Sequence, residues 1–174
     1  MSKVINILTT IDTDRVKKDY PNPSKDPNHP TGIGHNYGYM VASGTSVNSG
    51  QGTGDLNFNA LVGDFVRSFA VSGSDNFEDA VLLYGMPQFS GTQVFSAFLY
   101  QSFTKSTVVA GSTSSSPLPP KIVDEVFWFY QASVIIKGTE GFMMQFGLWV
   151  RDPNTGQPVL FGYYAWDPTI QVAG

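Results

Sequence analysis

The sequence predicts an all-β sandwich of roughly eight strands, folded as one domain over residues 1–174. β-Branched and aromatic residues alternate with polar ones in many short stretches, which is the period of a strand. Clusters of Gly, Ser, Asn, Asp and Pro separate these stretches and favour turns. No helical period persists for about ten residues anywhere in the chain, which argues against a helical layer.

Two strands are predicted around a long polar loop near the start of the chain. The first is Val4–Ile11, with one face formed by Ile5, Ile7, Thr9 and Ile11. The second covers residues 37–42. The loop between them, residues 12–36, contains Pro21, Pro23, Pro27 and Pro30. Because proline fixes φ and removes a donor, we expect no helix or central strand there, and we interpret the segment as an ordered loop on a scaffold.

The other predicted strands follow from the same alternation of apolar and polar residues. They cover residues 58–62, 64–71, 79–84, 94–103, 125–136, 142–150 and 159–166, with a continuation at 170–172. Loops are expected at 43–55 and 112–120, and tight turns at 137–141 and 152–156. The strands after residue 125 are apolar on both faces, so we expect a final meander that forms the core.

The amino-acid composition argues against several classes of protein, including nucleic-acid-binding, disulfide-bonded and membrane proteins. The chain is 41% hydrophobic and only 14% charged, with a formal net charge of −4, so copies repel one another weakly. Scattered basic residues argue against nucleic-acid binding. The absence of cysteine excludes disulfides and thiolate chemistry. No signal peptide or membrane-length apolar run is visible, which predicts a cytoplasmic protein without a membrane partner.

The long loop also carries the best candidates for a metal site. Its carboxylates, together with backbone carbonyls and Asn side chains, could surround calcium with oxygen ligands. The candidate ligands are Asp12, Asp14, Asp19, Asp26 and Asn36. The alternative is that these residues form Asx turns within the loop. His29 and His35 match no zinc spacing, although His35 is retained as a candidate ligand.

No motif predicts catalysis. The sequence lacks Gly-x-Ser-x-Gly and His-Glu-x-x-His, and each glutamate (Glu78, Glu125, Glu140) falls at a predicted strand edge or turn, where a solvated charge is expected. No catalytic residue and no cofactor are therefore predicted. Trp128, Trp149 and Trp166 could stack on sugar rings, but tryptophan in an apolar strand more often belongs to the core.

Several motifs resemble those of the PixA/AidA inclusion-body proteins of Gram-negative bacteria. They are the Tyr-Pro-Asn-Pro loop from Tyr20, the Gly-Gln-Gly-Thr-x-Asp-Leu-Asn run at 50–57, the Gly-Asp-x-x-Arg element at 63–67 and the Gly-Tyr-Tyr-Ala-Trp-Asp-Pro-Thr-Ile ending at 162–170. The resemblance implies an Ig-like antiparallel β-sandwich with a long N-terminal loop and no known enzymatic chemistry. It also implies cytoplasmic inclusions, sometimes crystalline, with links to quorum sensing and host interaction. The chain has only 5 Met, so the sulfur storage expected of methionine-rich members is not predicted here.

Two functions are carried forward from the sequence. The first is a non-enzymatic inclusion-body protein whose partner is a second copy of itself. The alternative is a carbohydrate-binding β-sandwich, with or without calcium, that uses residues 12–36 as its binding edge and a glycan as its partner.

Overall fold

The structure is a computed structural model that describes residues 2–43, 47–111 and 115–173. Strands make up 58% of it and helices 6%, which confirms the all-β fold class. In these residues the strands are β1 Val4–Ile11, β2 Thr31–Gly32, β3 Gly38–Ala42, β4 Val47–Ser49, β5 Asp55–Asn59, β6 Phe65–Ser72, β7 Ala80–Gly85, β8 Gln88–Gly91, β9 Leu99–Val109, β10 Lys121–Ser133, β11 Gly138–Phe142, β12 Met144–Arg151, β13 Pro158–Trp166 and β14 Thr169–Ala173.

These strands form three sheets in the described part of the chain. Their orders are β3-β1-β6-β10-β9, β4-β5-β14-β11-β8 and β2-β13-β12-β7. The pairs β1–β6, β14–β5 and β13–β2 are parallel, and the other pairs are antiparallel. The expected Ig-like sandwich of about eight antiparallel strands is therefore not confirmed: the described chain has 14 strands in three sheets, and three of the strand pairs are parallel. Strands of two to five residues, such as β2 and β4, are too short to show a hydrophobic period.

Strand β1 confirms its prediction in both bounds and orientation. Ile5, Ile7, Thr9 and Ile11 are buried, while Asn6 and Val4 on the opposite face are exposed. The buried face joins one cluster with side chains from all three sheets. Its largest fully buried members are Trp166, Tyr164, Phe58, Phe95, Phe142 and Phe146. Burial of each of these rings contributes about 1.5–3 kcal/mol of hydrophobic free energy to folding.

The expectation that residues 12–36 contain no helix was wrong for the stretch before the first proline, where no proline restricts the backbone. Helix α1 (Thr13–Asp19) precedes the first proline, and the side chain of Asp12 caps it by accepting a hydrogen bond from the backbone N of Arg15 at 3.1 Å. Strand β2 and a 3₁₀ turn at His35–Tyr37 end the segment. Neither helix in the described residues is long and apolar enough to cross a membrane.

The expected final meander is not observed. The predicted turn at 137–141 is strand β11, which pairs with β14 and β8, whereas β10 pairs with β9 and β6. Among the described strands β10 to β13, only β12 and β13 pair with each other as a hairpin, through the correctly predicted turn at 152–156. The apolar strands are therefore distributed over all three sheets, because each sheet needs an apolar face to pack against the core.

Candidate functional site

The predicted loop is held on strand β13 by the β2–β13 pairing and by further contacts at Tyr20, Pro23 and Ser24. The Tyr164 hydroxyl donates to the backbone O of Tyr20 at 3.0 Å, and the backbone N of Tyr163 donates to the O of Ser24 at 2.8 Å. A Cβ atom at Gly162 would stand 2.3 Å from Cγ of Pro23, so only glycine lets the proline approach β13. The loop is therefore an ordered layer on the sheet, as the sequence predicted.

The four candidate aspartates of this segment each have a separate partner. Asp12 caps helix α1, and Asp14 forms an ion pair with Lys17 at 3.1 Å. The carboxylate of Asp19 accepts a hydrogen bond from the Tyr37 hydroxyl at 2.8 Å. Asp26 lies 2.7 Å from Nδ1 of His29 and accepts a hydrogen bond from the backbone N of Asn28 at 2.9 Å; these hydrogen bonds lower the pKa of its carboxyl.

The last two candidates, His35 and Asn36, face different partners. His35 lies between two carboxylates, with Nε2 at 2.9 Å from Asp55 and Nδ1 at 3.3 Å from Asp167. Burial lowers the pKa of His35, but the hydrogen bonds and charges of both aspartates outweigh it and raise the pKa above its usual value. The backbone O of Asn36 accepts from Nη1 of Arg15 at 2.9 Å. Sequence reasoning missed Asp55 and Asp167 because they lie far away along the chain.

No preformed metal site emerges from these residues. Across the part of the chain that the structure describes, no three His, Asp or Glu side chains are placed to hold one ion. A cavity of about 400 Å³ is lined by Asp12, Asp14, Glu78 and Asp79, and Lys17 reaches Asp79 at 2.5 Å. This lysine already supplies the positive charge that the nearest carboxylates need. Calcium binding at this segment stays a prediction.

Strands β9 and β10 form a second exposed surface, which the sequence did not predict. Strand β9 pairs with β10 over its whole length, but β10 pairs with β6 only through residues 130–133. Residues 101–109 and 121–129 therefore form a two-stranded ribbon, which we call the arm. At about 3.3 Å per residue the arm is roughly 30 Å long. In the described structure no strand pairs with its β10 edge.

Both faces of the arm expose apolar side chains. On one face, which is shared with the buried Ala132, lie Ile122, Val126 and Val108, exposed by 76%, 63% and 65%. We call this the aliphatic face. We expected residues 125–136 to be core, and this was wrong for the arm, where Phe127 and Val126 are exposed. Apolar content alone does not distinguish a core strand from an unpaired one.

The opposite face of the arm carries an aromatic groove with two cations. It has a volume of about 340 Å³ and is lined by Arg67, Phe103, Lys105, Phe127 and Phe129. We call it the cationic groove. Cζ of Arg67 lies 4.5 Å from the centre of the Phe129 ring, and the rings of Phe103 and Phe129 stack at 5.8 Å. Arg67 belongs to the Gly-Asp-x-x-Arg motif, which was the one available signal for this site.

The tryptophans divide between core and surface. Trp166 is fully buried, so it cannot stack on a sugar, whereas Trp128 and Trp149 are half-buried. Glu140, expected to be solvated, is only 3% exposed and accepts hydrogen bonds from the backbone N of Val94 at 2.6 Å and of Phe95 at 2.8 Å. Burial raises the pKa of this carboxyl, and the two backbone donors oppose that shift.

Comparisons with known proteins agree with this architecture. The profile of the PixA family, described as inclusion body protein, matches residues 3–172. Among solved structures, the chain is similar to the crystal structure of an inclusion body protein (PixA) from Burkholderia cenocepacia J2315. The two chains are 31% identical with a TM-score of 0.77, and the match covers 99% of this chain and 97% of that chain. No curated protein matches the chain.

Proposed function

The chain belongs to the PixA family of inclusion body proteins, and we propose that it self-associates through its arm into dense cytoplasmic inclusions. The observation that carries this proposal is the exposed aliphatic face of the arm. A family described by its inclusions, rather than by a reaction, makes a structural function the first choice. No catalytic residue is assigned.

The arm has the physical properties of an association element. A two-stranded ribbon alone is marginally stable in water, so packing against another surface would stabilise it. Ile122 on its aliphatic face is 76% exposed, and covering such a side chain by a partner would gain hydrophobic free energy. Its free β10 edge also offers unpaired backbone groups to another strand.

A second copy of the chain is the occupant that best fits this surface. The arm consists of nine cross-strand pairs, or eighteen residues, which is just below the roughly 20–30 residues that each partner contributes to a standard interface. The charged side chains of the arm are Lys105, Lys121, Asp124 and Glu125, which sum to zero, so two arms meet without net repulsion. A formal charge of −4 on the whole chain adds little long-range repulsion.

Two double variants test this proposal. Ile122→Ser with Val126→Ser removes apolar surface from the arm, whereas Leu61→Ser with Val62→Ser removes it elsewhere. The pairs are matched, because Val126 and Val62 are each 63% exposed. We expect the arm variant to lower the sedimentation-determined association constant by at least about tenfold, with fewer inclusions in electron micrographs of expressing cells. Equal effects from both pairs, or no effect from either, would refute the arm as the contact.

A link to quorum sensing or host interaction belongs to the same proposal. It is supported by the family resemblance, not by a feature of the arm. Comparing the level of the protein and the number of inclusions in cells with and without the quorum signal tests it. Equal levels in both conditions would remove that part and leave self-association standing.

A further inference from the structure

The cationic groove lies on the opposite face of the arm from the aliphatic face. Its members Phe103 and Phe127 are directly opposite each other across the strand pair, and Lys105 is two residues beyond Phe103. Side chains at this spacing point to the same side of the ribbon. The groove therefore combines a ring-lined floor with positive charge, independently of the surface assigned to self-association.

The guanidinium of Arg67 is oriented by two contacts, and its terminal nitrogens remain available to bind an anion. Its Nε donates a hydrogen bond to Oε1 of Gln131 at 2.9 Å, and its guanidinium lies over the Phe129 ring. These two contacts orient the planar group but use only one of its five N–H donors. In the described structure, no hydrogen bond or ion pair occupies its terminal nitrogens. A fixed guanidinium with free donors matches the geometry of a carboxylate.

Lys105 adds a second charge without a partner of its own. Glu125 lies opposite it across the strands, yet the two side chains form no ion pair among the described residues. Lys105 is exposed, so its ammonium can turn toward the groove without loss of packing. Arg67 and Lys105 thus lie beside three phenylalanine rings, and neither cation is in an ion pair in the described part of the chain.

We propose that the cationic groove binds a small aromatic carboxylate. The carboxylate would accept hydrogen bonds from the terminal nitrogens of Arg67 and from Lys105, and the aromatic ring would pack against Phe103 and Phe127. A volume of about 340 Å³ lies at the small end of ligand sites, which suits a molecule with one ring. The inference does not depend on inclusion formation, because it uses the other face of the arm.

Titration of the wild-type protein with three probes tests the chemistry directly. Phenylacetate carries both ring and charge, 2-phenylethanol has the ring without the charge, and acetate has the charge without the ring. We expect saturable one-site binding of phenylacetate by calorimetry or ligand-observed NMR, weakened by added salt. The other two probes should bind at least about tenfold more weakly, since each lacks one half of the recognition. No saturation with phenylacetate, or equal binding of 2-phenylethanol, would overturn the proposal.

Three charge-removing variants locate the site. Arg67→Gln should weaken phenylacetate binding about tenfold, and Lys105→Gln a few-fold. Lys121→Gln is the matched control, because Lys121 lies on the same face of the arm but outside the groove; it should change the affinity less than twofold. Equal loss in all three would show non-specific attraction and refute the site. If phenylacetate fails to bind and Arg67→Gln instead changes the sedimentation of the protein, the groove seats a second copy.

Discussion

The indole of Trp166 lies so close to Gly38 that a Cβ atom at position 38 would stand 2.8 Å from its Cη2 atom. Gly38 begins β3 and Trp166 ends β13, so this contact joins two different sheets. The indole Nε1 also donates to the backbone O of His35 at 3.2 Å, which fixes the ring in this position. A rigid ring against bare backbone leaves no room for adjustment.

Substitution Gly38→Ala should therefore destabilise the protein. We expect a loss of about 1–3 kcal/mol in the free energy of unfolding, from overpacking against the indole, measured by urea denaturation. Gly32→Ala is the control, because a Cβ there meets nothing within 4 Å. Equal stability of the two variants would contradict the close contact.

Substitution of the buried Glu140 should destabilise the protein far more than substitution of the exposed Glu125. Glu140→Ala leaves the buried backbone N–H groups of Val94 and Phe95 without an acceptor, at a cost of about 2–5 kcal/mol. Glu140→Gln keeps one acceptor oxygen and should cost less. Glu125→Ala removes an exposed carboxylate and should fall within about 0.5 kcal/mol of wild type by the same denaturation assay. A cost for Glu140→Ala as small as that for Glu125→Ala would show that this segment does not need the carboxylate.

His35 makes stability depend on pH. Because Asp55 and Asp167 raise its pKa in the folded protein, its stabilising contribution is fully present below the unfolded pKa of about 6.5 and is lost as pH rises through the folded pKa. The side chain is 38% exposed, so solvent screening limits the contribution to about 1 kcal/mol at most. The free-energy difference between wild type and His35→Gln should be larger near pH 5.5 than near pH 8.5.

The aspartates provide the control for that measurement. With Asp55→Asn and Asp167→Asn already present, His35 should no longer stabilise the protein more at low pH, because only burial, which lowers its pKa, remains. A larger effect of His35→Gln near pH 5.5 than near pH 8.5 that survives in this background would assign the titration to another group.

Calcium should leave thermal stability unchanged. The carboxylates of Asp14 and Asp26 already contact Lys17 and His29, and the described residues include no group of three such side chains around one point. We expect the same midpoint temperature in a calorimetric scan with millimolar calcium and with a chelator. A calcium-dependent rise that Asp14→Asn or Asp26→Asn abolishes would restore the calcium hypothesis.

The local pattern of apolar and polar residues was sufficient to predict a strand that is long and has one buried face. Strand β1 was predicted to the residue because its isoleucines alternate over eight positions and face the core. The hairpin turn at 152–156 was predicted from its Asp-Pro-Asn-Thr-Gly chemistry, which acts within five residues: Oδ1 of Asp152 accepts hydrogen bonds from the backbone N of Asn154 and Thr155.

The local pattern did not predict the environment of side chains whose contacts come from residues far away in the sequence. Glu140 looked solvated because its neighbours form a turn sequence, but strand β11 places it against the backbone of Val94. His35 was a candidate on its own, and its partners Asp55 and Asp167 became neighbours only through β5 and the turn before β14. For the same reason Arg67 was visible as a motif residue but not as part of a groove.

The all-β fold class, the ordered proline loop and, through its motifs, the PixA family could be predicted from the sequence, because they depend on residues close together in the chain. The exposure of Phe127 and Val126 and the burial of Trp166 were visible only in the folded chain. Burial depends on which strand lies alongside a residue, and that strand can be distant in sequence. Strand β10 pairs with β6 only from residue 130 onward, so residues 121–129 have no β6 strand beside them. The sequence around residues 121–129 does not reveal that this partner is missing.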